Sequence, residues 1–233
     1  MPPDLIHGKG AGASDARADA SSTAAGAGHF RRAWSAFKAS PSVFVGATLL
    51  LFASWVALEL AVVALYRFGI VPWLLLHLAF LVGFSGLMVG FHAMAQQAVD
   101  GERPRLRELT SRLECGPSFL LASVIYGGAV AAGLALLLVP GIYIAVRFAP
   151  FGHVLAARAV SAPQALRGAA ALSSGRWRSV GTCLLAALAL NLAALALLGA
   201  GIFVTFPVSL LATASVFRAA VRGGDRPALE VPE

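Results

Sequence analysis

Long apolar runs constrain the fold of this chain more than any other feature of its sequence. Of the 233 residues, 58% are hydrophobic and 12% are charged, and the mean hydropathy is +0.79. An α-helix of about 20 residues crosses the ~30 Å hydrocarbon core of a bilayer, so an apolar run of that length indicates a transmembrane helix. The composition excludes an ordinary soluble domain and predicts an all-α polytopic membrane protein.

The apolar runs predict six transmembrane helices that pair into three hairpins. Very short connections with Pro or Gly join the helices of each hairpin, which is typical of tight turns. The predicted spans are 42–66, 70–98, 117–139, 142–160, 179–199 and 201–221, and the tight connections are 67–69, Pro140–Gly141 and Gly199–Gly201. The whole membrane domain therefore covers 42–222, between a low-complexity tail over 1–28 with an interfacial segment over 29–41 and a second tail over 223–233.

The two longer connections carry charge and predict amphipathic segments at the membrane surface. In Asp100–Cys115, Leu106, Leu109 and Leu113 recur at helical spacing among arginines, which predicts an interfacial helix. In the second connection, Ser161 and Gln164 form a capping-box pattern and Gly175 follows as a helix stop.

Basic residues beside the spans predict the orientation. Apart from Arg67, they fall on one side of the six-helix arrangement, and basic loops mark the cytoplasmic side. Both termini are therefore expected in the cytoplasm, with the protein in the bacterial inner membrane. The net charge of +7 is explained by these flanks, so we expect no nucleic-acid partner. The residues concerned are Arg31, Arg32, Lys38, Arg103, Arg105, Arg107, Arg112, Arg158, Arg167, Arg176, Arg178, Arg218, Arg222 and Arg226.

Five polar residues lie inside the predicted spans at similar depth, about 6–12 Å below the outer surface when counted from the outer turns. A charged side chain there is unfavourable by at least roughly 2.5–3.5 kcal/mol and is a candidate functional residue. We expect Glu59 to pair with Arg147, with His77 and Asn191 hydrogen-bonded nearby. The residues of this intramembrane layer are Glu59, His77, Arg147, Asn191 and Thr205.

The layer has three interpretations. In the first, it is a structural staple that fixes the register of the helices. In the second, it lines a polar cleft in which Arg147 binds a lipid phosphate or another anion through its planar guanidinium. In the third, Glu59 or Arg147 extends to the membrane surface.

Other candidate sites are weaker. His92 and His153 share a depth that permits haem or metal ligation, but without a distinctive spacing they are interpreted as packing residues, and no metal or cofactor is expected. Gly86 and Gly90 form a GxxxG step for close helix packing within one chain or between subunits of a homo-oligomer. The sequence contains no HExxH, GxSxG or Walker A motif, so no catalytic residue is assigned.

The stretch from Leu138 to Phe148 resembles the "PGIY...R" signature of a widespread, uncharacterised group of bacterial integral membrane proteins, with Pro140, Gly141 and Arg147 in place. Gly175 and Trp177 fall where that group carries a "kGnfw" segment. The group includes the membrane domain attached to some glycerophosphodiester phosphodiesterases. The resemblance implies a six-helix inner-membrane protein and no particular activity.

The sequence thus favours a non-enzymatic membrane protein that serves as a scaffold or as a module binding a partner protein or lipid. Its partners would be membrane lipids and a protein docked on the cytoplasmic amphipathic segments. The alternative is a protein that handles or transports a lipid or a small anion through the Arg147 layer.

Overall fold

The computed structural model describes residues 27–65, 67, 69–196 and 201–223, and this part of the chain is helical without strands. The predicted tails over 1–28 and 223–233 lie almost entirely outside the described residues. The helices are α1 (27–39), α2 (Pro41–Leu65), α3 (Ile70–Val99), α4 (Gly116–Leu136), α5 (Leu138–Phe148), α6 (Phe151–Ala157), α7 (Ala162–Ser173), α8 (Trp177–Ala196) and α9 (Ile202–Arg222).

Six segments are long and apolar enough to cross a membrane, which confirms the predicted all-α polytopic fold. They are Pro41–Ala64, Ile70–Val99, Leu106–Leu136, Leu138–Ala157, Trp177–Ala196 and Ile202–Arg222. The hairpin partners α2 and α3, α4 and α5, and α8 and α9 pack against each other as predicted. The turn residues 66, 68 and 197–200 lie outside the described residues.

The fourth span is two helices and not the single helix predicted over 142–160. Pro150 ends α5 and starts α6, where the backbone N–H of His153 donates to the Pro150 carbonyl at 3.0 Å. Proline lacks an N–H and its ring clashes with the preceding turn, so it breaks a helix at this point. The break lets α6 pack against both α3 and α7.

The α4–α5 reversal lies earlier than predicted. Leu137, with extended backbone angles, connects the two helices, and Pro140 occupies the first turn of α5, where its missing N–H is harmless. Gly141 is buried inside the helix, and a Cβ placed on it would lie 2.5 Å from Cγ of Leu134. Pro140 and Gly141 therefore start a helix and bring α5 close to α4.

The connection after α3 also differs from its prediction. It holds two short 3-10 helices, Leu106–Thr110 and Leu113–Cys115, in place of an amphipathic α-helix. They pack directly on the glycines of the GxxxG step, since a Cβ on Gly90 would lie 2.0 Å from the carbonyl oxygen of Leu109. Gly86 and Gly90 thus accommodate this connection and not another transmembrane helix.

The second connection follows its prediction. A capping box joins Ser161 and Gln164 at the start of α7, and the backbone N–H of Ser161 donates to Oε1 of Gln164 at 3.0 Å. After α7, Gly175 adopts a φ of 75°, in the left-handed region that favours glycine.

Ion pairs and buried side chains fasten the ends of α1, α3 and α9. Asp100 accepts hydrogen bonds from Nε of Arg218 at 2.9 Å and from Nη2 of Arg222 at 2.7 Å. The segment predicted as interfacial is largely α1, which buries Ala33 and Phe37 in the core and bonds to α9 through His29 and Ser215. We call this end of the bundle, where α3 and α9 end and α8 begins, the basic end.

Candidate functional site

A groove runs between α5 and the start of α8 on the outside of the bundle. It has two lobes of about 560 Å³ each, and both are lined by Ile142, Val146 and Trp177. The first lobe adds Arg147 and the turn from Ser173 to Gly175, and the second adds Arg178 and the α8 wall. We call these the Arg147 lobe and the Arg178 lobe of the groove.

Arg147 is oriented by a residue one helical turn earlier. Its Nη1 donates to the hydroxyl oxygen of Tyr143 at 2.5 Å, and its guanidinium carbon lies 5.7 Å from the centre of the Tyr143 ring. The two residues are four apart, so they meet on one face of α5. Arg147 makes no ion pair with any carboxylate in the described part of the chain. Tyr143 was not among the candidate residues predicted from the sequence. Its spacing of four residues from Arg147 is the signal that could have identified it.

The turn between α7 and α8 forms the opposite wall. The left-handed backbone of Gly175 reverses the chain so that Trp177 begins α8 with 61% of its surface exposed. The Arg178 guanidinium carbon lies 5.8 Å from the centre of the Trp177 ring. Two of the signature positions, Gly175 and Trp177, thus meet Arg147 in the groove, whereas Gly141 lies buried and helps α5 to pack on α4.

Arg147 lies deeper from the hairpin turn than the sequence predicted. Because the reversal is at Leu137, Arg147 follows it by ten residues, or about 15 Å of helix. Its lobe is lined by Gly175 and Trp177, which lie at the basic end. Arg147 is therefore close to the basic end and not in a layer below the opposite surface.

The predicted pair of Glu59 with Arg147 is wrong. Glu59 is exposed on α2 and has no hydrogen bond or ion pair with any residue that the structure describes. The helices that carry the two residues have different neighbours: α2 packs on α3 and α9, whereas α5 packs on α4, α7 and α8.

Asn191 and Thr205 do come together, as a staple between α8 and α9. Thr205 donates to Oδ1 of Asn191 at 2.9 Å, and Nδ2 of Asn191 donates to Ser209 at 2.8 Å. His77 is not part of this staple, and its ring packs on Trp73 with the ring centres 4.7 Å apart. The Nδ1 atom of His77 is buried without a hydrogen-bond partner among the described residues. Of the five residues in the predicted layer, Asn191 and Thr205 are therefore the two that bond to each other in the described part of the chain.

A second polar region lies between α3, α6 and α9. His92 Nδ1 donates to the Met88 carbonyl at 2.7 Å, and the rings of His92 and His153 are 4.7 Å apart. Gln96 donates to the His153 carbonyl at 2.8 Å, and the His153 ring contacts Thr213. We call His92, Gln96, His153 and Thr213 the histidine cluster.

Hydrogen bonding determines the tautomer of His153. Thr213 donates its only hydroxyl hydrogen to the Leu210 carbonyl at 2.8 Å, so its oxygen accepts from Nε2–H of His153 at 2.9 Å. His153 Nδ1 then carries a lone pair and is buried without a partner among the described residues. Within that part of the chain, no third His, Cys, Asp or Glu joins the cluster to form a metal-binding group. The cluster packs helices together, as the sequence indicated for His92 and His153.

Comparison with protein-family models, with curated proteins and with solved structures gives no match. A functional conclusion therefore depends on the geometry and chemistry of the groove.

Proposed function

We propose that this chain is a non-enzymatic membrane protein that binds an anionic phospholipid in the groove between α5 and α8, with the lipid phosphate at Arg147. The observation that carries the proposal is the position of Arg147 in an open groove, oriented by Tyr143 and without a carboxylate partner in the described residues. In a membrane span, such a cation requires an anion or a polar partner.

Phosphate matches the donors that the site presents. Arg147 donates one N–H to Tyr143, and the remaining N–H donors of its planar guanidinium match the paired oxygens of a phosphate. Charge-assisted hydrogen bonds from a guanidinium to a phosphate are about twice as strong as neutral ones. Ser173 and Ser174 line the same lobe, but Ser174 donates its hydroxyl hydrogen to the Ala170 carbonyl at 3.0 Å and the Ser173 hydroxyl is buried, so Arg147 supplies the donors for the phosphate.

The groove walls favour a lipid over a soluble anion. Large side chains that line the two lobes are exposed to the surroundings of the bundle, among them Tyr143 at 55% and Leu185 at 65%. Acyl chains would lie along these walls, and Trp177 at the mouth is typical of the membrane interface. With the basic end in the cytoplasm of a bacterial cell, as the charge distribution predicts, the lipid would come from the inner leaflet of the inner membrane.

Lipid analysis of the purified protein tests the proposal. We would purify the wild type, Arg147→Gln and Arg147→Lys in mild detergent and quantify the bound phospholipids by mass spectrometry. Loss of charged hydrogen bonds of about 1.5–3 kcal/mol predicts at least about a tenfold loss of bound anionic lipid in Arg147→Gln. Arg147→Lys would bind an intermediate amount, because it keeps the charge and loses the planar fork.

Arg105→Gln is the matched control. Arg105 is exposed at the basic end and lines neither lobe of the groove, so its loss removes the same charge without touching the site. Equal lipid content in Arg147→Gln and the wild type, in protein of unchanged melting temperature, would contradict the proposal.

A further inference from the structure

We infer that Tyr143 donates its hydroxyl hydrogen to the phosphate held by Arg147, and that this second donor makes the groove prefer a lipid with a phosphomonoester headgroup. The inference rests on the proposed lipid-binding function and specifies the class of headgroup. A phosphomonoester, as in phosphatidic acid, has three terminal oxygens that accept hydrogen bonds. The phosphodiester of a lipid such as phosphatidylglycerol has two.

The first support is the direction of the hydrogen bond between the two residues. Nη1 of Arg147 donates to the hydroxyl oxygen of Tyr143, so this bond leaves the hydroxyl hydrogen of Tyr143 unused. Among the residues that the structure describes, none accepts that hydrogen. A polar group on the apolar surface of a membrane span requires a hydrogen-bond partner. A phosphate bound at Arg147 supplies the acceptor.

The second support is the short distance between the two donors. Tyr143 and Arg147 line the same lobe and lie one helical turn apart on α5. The Tyr143 hydroxyl oxygen is 2.5 Å from Nη1 of Arg147. A phosphate that accepts from the guanidinium therefore brings its oxygens within hydrogen-bond distance of Tyr143 as well. More than half of the Tyr143 surface is exposed, so a lipid can approach it from the groove.

The third support is the match between these donors and the oxygens of a phosphomonoester. A guanidinium donates in parallel pairs, so a bidentate contact with Arg147 uses two oxygens of one phosphate. A phosphodiester has no further terminal oxygen, and Tyr143 would have to share one of the two. A phosphomonoester offers the third oxygen and carries about −1.5 to −2 charges at pH 7. Within the described part of the chain, no acidic residue lines this lobe to repel that charge.

The test compares a phosphomonoester lipid with a phosphodiester lipid. We would titrate the full-length protein, delipidated in detergent, with phosphatidic acid and with phosphatidylglycerol of the same acyl composition. Native mass spectrometry at neutral pH would measure the two affinities. We expect phosphatidic acid to bind at least about tenfold more tightly, which is the factor for one additional hydrogen bond to a charged group.

Tyr143→Phe separates the effect of the hydroxyl from the effect of ligand charge. The variant keeps the ring beside Arg147, so affinity should fall about tenfold for phosphatidic acid and less than about threefold for phosphatidylglycerol. The greater charge of phosphatidic acid acts on both proteins, so the change in the ratio of the two affinities reports the hydroxyl. Tyr126→Phe is the matched control and should change neither affinity. The Tyr126 hydroxyl donates to the Ala145 carbonyl at 3.1 Å and does not line the lobe.

The outcomes separate this inference from the proposed function. Equal affinity of the wild type for the two lipids would overturn the phosphomonoester inference and leave lipid binding at Arg147 intact. An unchanged ratio of affinities in Tyr143→Phe would show that Tyr143 at most positions Arg147, and would also overturn the inference. Absence of binding to both lipids, or competition by inorganic phosphate as strong as that by phosphatidic acid, would overturn the inference and the proposed function together. If Tyr143→Phe does not fold, the ratio of the two wild-type affinities decides.

Discussion

The histidine cluster and the arginine groove are both polar regions within apolar helices, and they are built in opposite ways. His153 is 1% exposed, and its ring and backbone bond to Thr213 and Gln96 on two other helices. Among the residues that the structure describes, Arg147 bonds to Tyr143 alone, on its own helix, and it lines a groove that opens outward. His153 and Gln96 in the first region are buried by protein, whereas Arg147 in the second has N–H donors left after its bond to Tyr143.

This contrast shows how to distinguish a structural polar residue from a binding residue in a membrane protein. Hydrocarbon offers no hydrogen bonds, so a polar group in a span is satisfied by protein, water or a ligand. On the closed side, formed by α3, α6 and α9, the partners are protein atoms, and mutation should lower stability. On the open side, formed by α5 and α8, mutation should lower binding and leave stability nearly unchanged.

The largest expected effect is on the closed side, at Gly90. In Gly90→Ala, the new Cβ would lie 2.0 Å from the Leu109 carbonyl oxygen, so α3 and the connection after it must separate. We expect a loss of about 3 kcal/mol in the free energy of unfolding, at the upper end for overpacking. Unfolding in mixed detergent micelles measures this loss. Gly128→Ala is the control, because no atom lies within 4 Å of its Cβ position. Equal stability of the two variants would contradict the close contact.

The second-largest effect tests a single hydrogen bond of the histidine cluster. His153→Phe keeps a ring of similar size and loses the bond to Thr213, so we expect a loss of about 1–2 kcal/mol. The control is His77→Phe. The His77 ring packs on Trp73 and its buried Nδ1 has no partner among the described residues, so removal of that nitrogen should leave stability unchanged or raise it. Equal losses in both variants would show that ring packing, and not the hydrogen bond, holds the cluster.

The third effect is smaller and depends on pH. His29 Nδ1 lies 2.8 Å from Ser215 Oγ and joins α1 to α9. Burial, with a further contribution from Arg32, lowers the pKa of His29 below 6.5. The undocked α1 then binds a proton more readily than the docked one, so docking is strongest above pH 6.5 and weakens as the pH falls through that value. Hydrogen exchange of residues 27–39 at pH 7.5 and 5.5 measures the change. His29→Gln should remove the pH dependence, and its persistence would contradict the role of His29.

The smallest effect on stability is expected on the open side. Arg147→Gln removes an exposed bond to Tyr143, so the free energy of unfolding of the delipidated protein should change by less than about 0.5 kcal/mol. Bound lipid should nevertheless decrease at least about tenfold, because the anion partner is lost. The same micelle unfolding and lipid analysis measure both quantities. A loss above 2 kcal/mol in the free energy of unfolding of the delipidated protein would show that Arg147 is a structural residue, like those of the histidine cluster, and would contradict the difference between the two regions.

Local chemistry allowed part of this structure to be predicted from sequence. The apolar runs predicted the spans, the Ser161 and Gln164 capping box predicted the start of α7, and Gly175 predicted its end. Each of these signals depends on residues that are close in the chain. Arg147, Gly175 and Trp177 line one lobe of the groove. The sequence singled out these residues without predicting that they meet, and it placed Arg147 at the wrong depth.

The predictions from sequence that proved wrong concern features that depend on packing between distant segments of the chain. Apolar residues surround α2 on all sides, so no periodic pattern showed that Glu59 points outward. Pro140 suits either a turn or the first turn of a helix, and the contact of Gly141 with α4 decides between them. Gly86 and Gly90 indicated close packing correctly, but the sequence did not show that their neighbour is a connection and not a helix.

The ion pair of Asp100 with Arg218 sets an order of events during synthesis. Asp100 precedes Arg218 by 118 residues, and three spans must be made before the arginine appears. At about 5–20 residues per second, the carboxylate leaves the ribosome roughly 6–24 s before its partner. The contact therefore forms only when the last helix has entered the bundle, and it joins the first hairpin to the last in the completed protein.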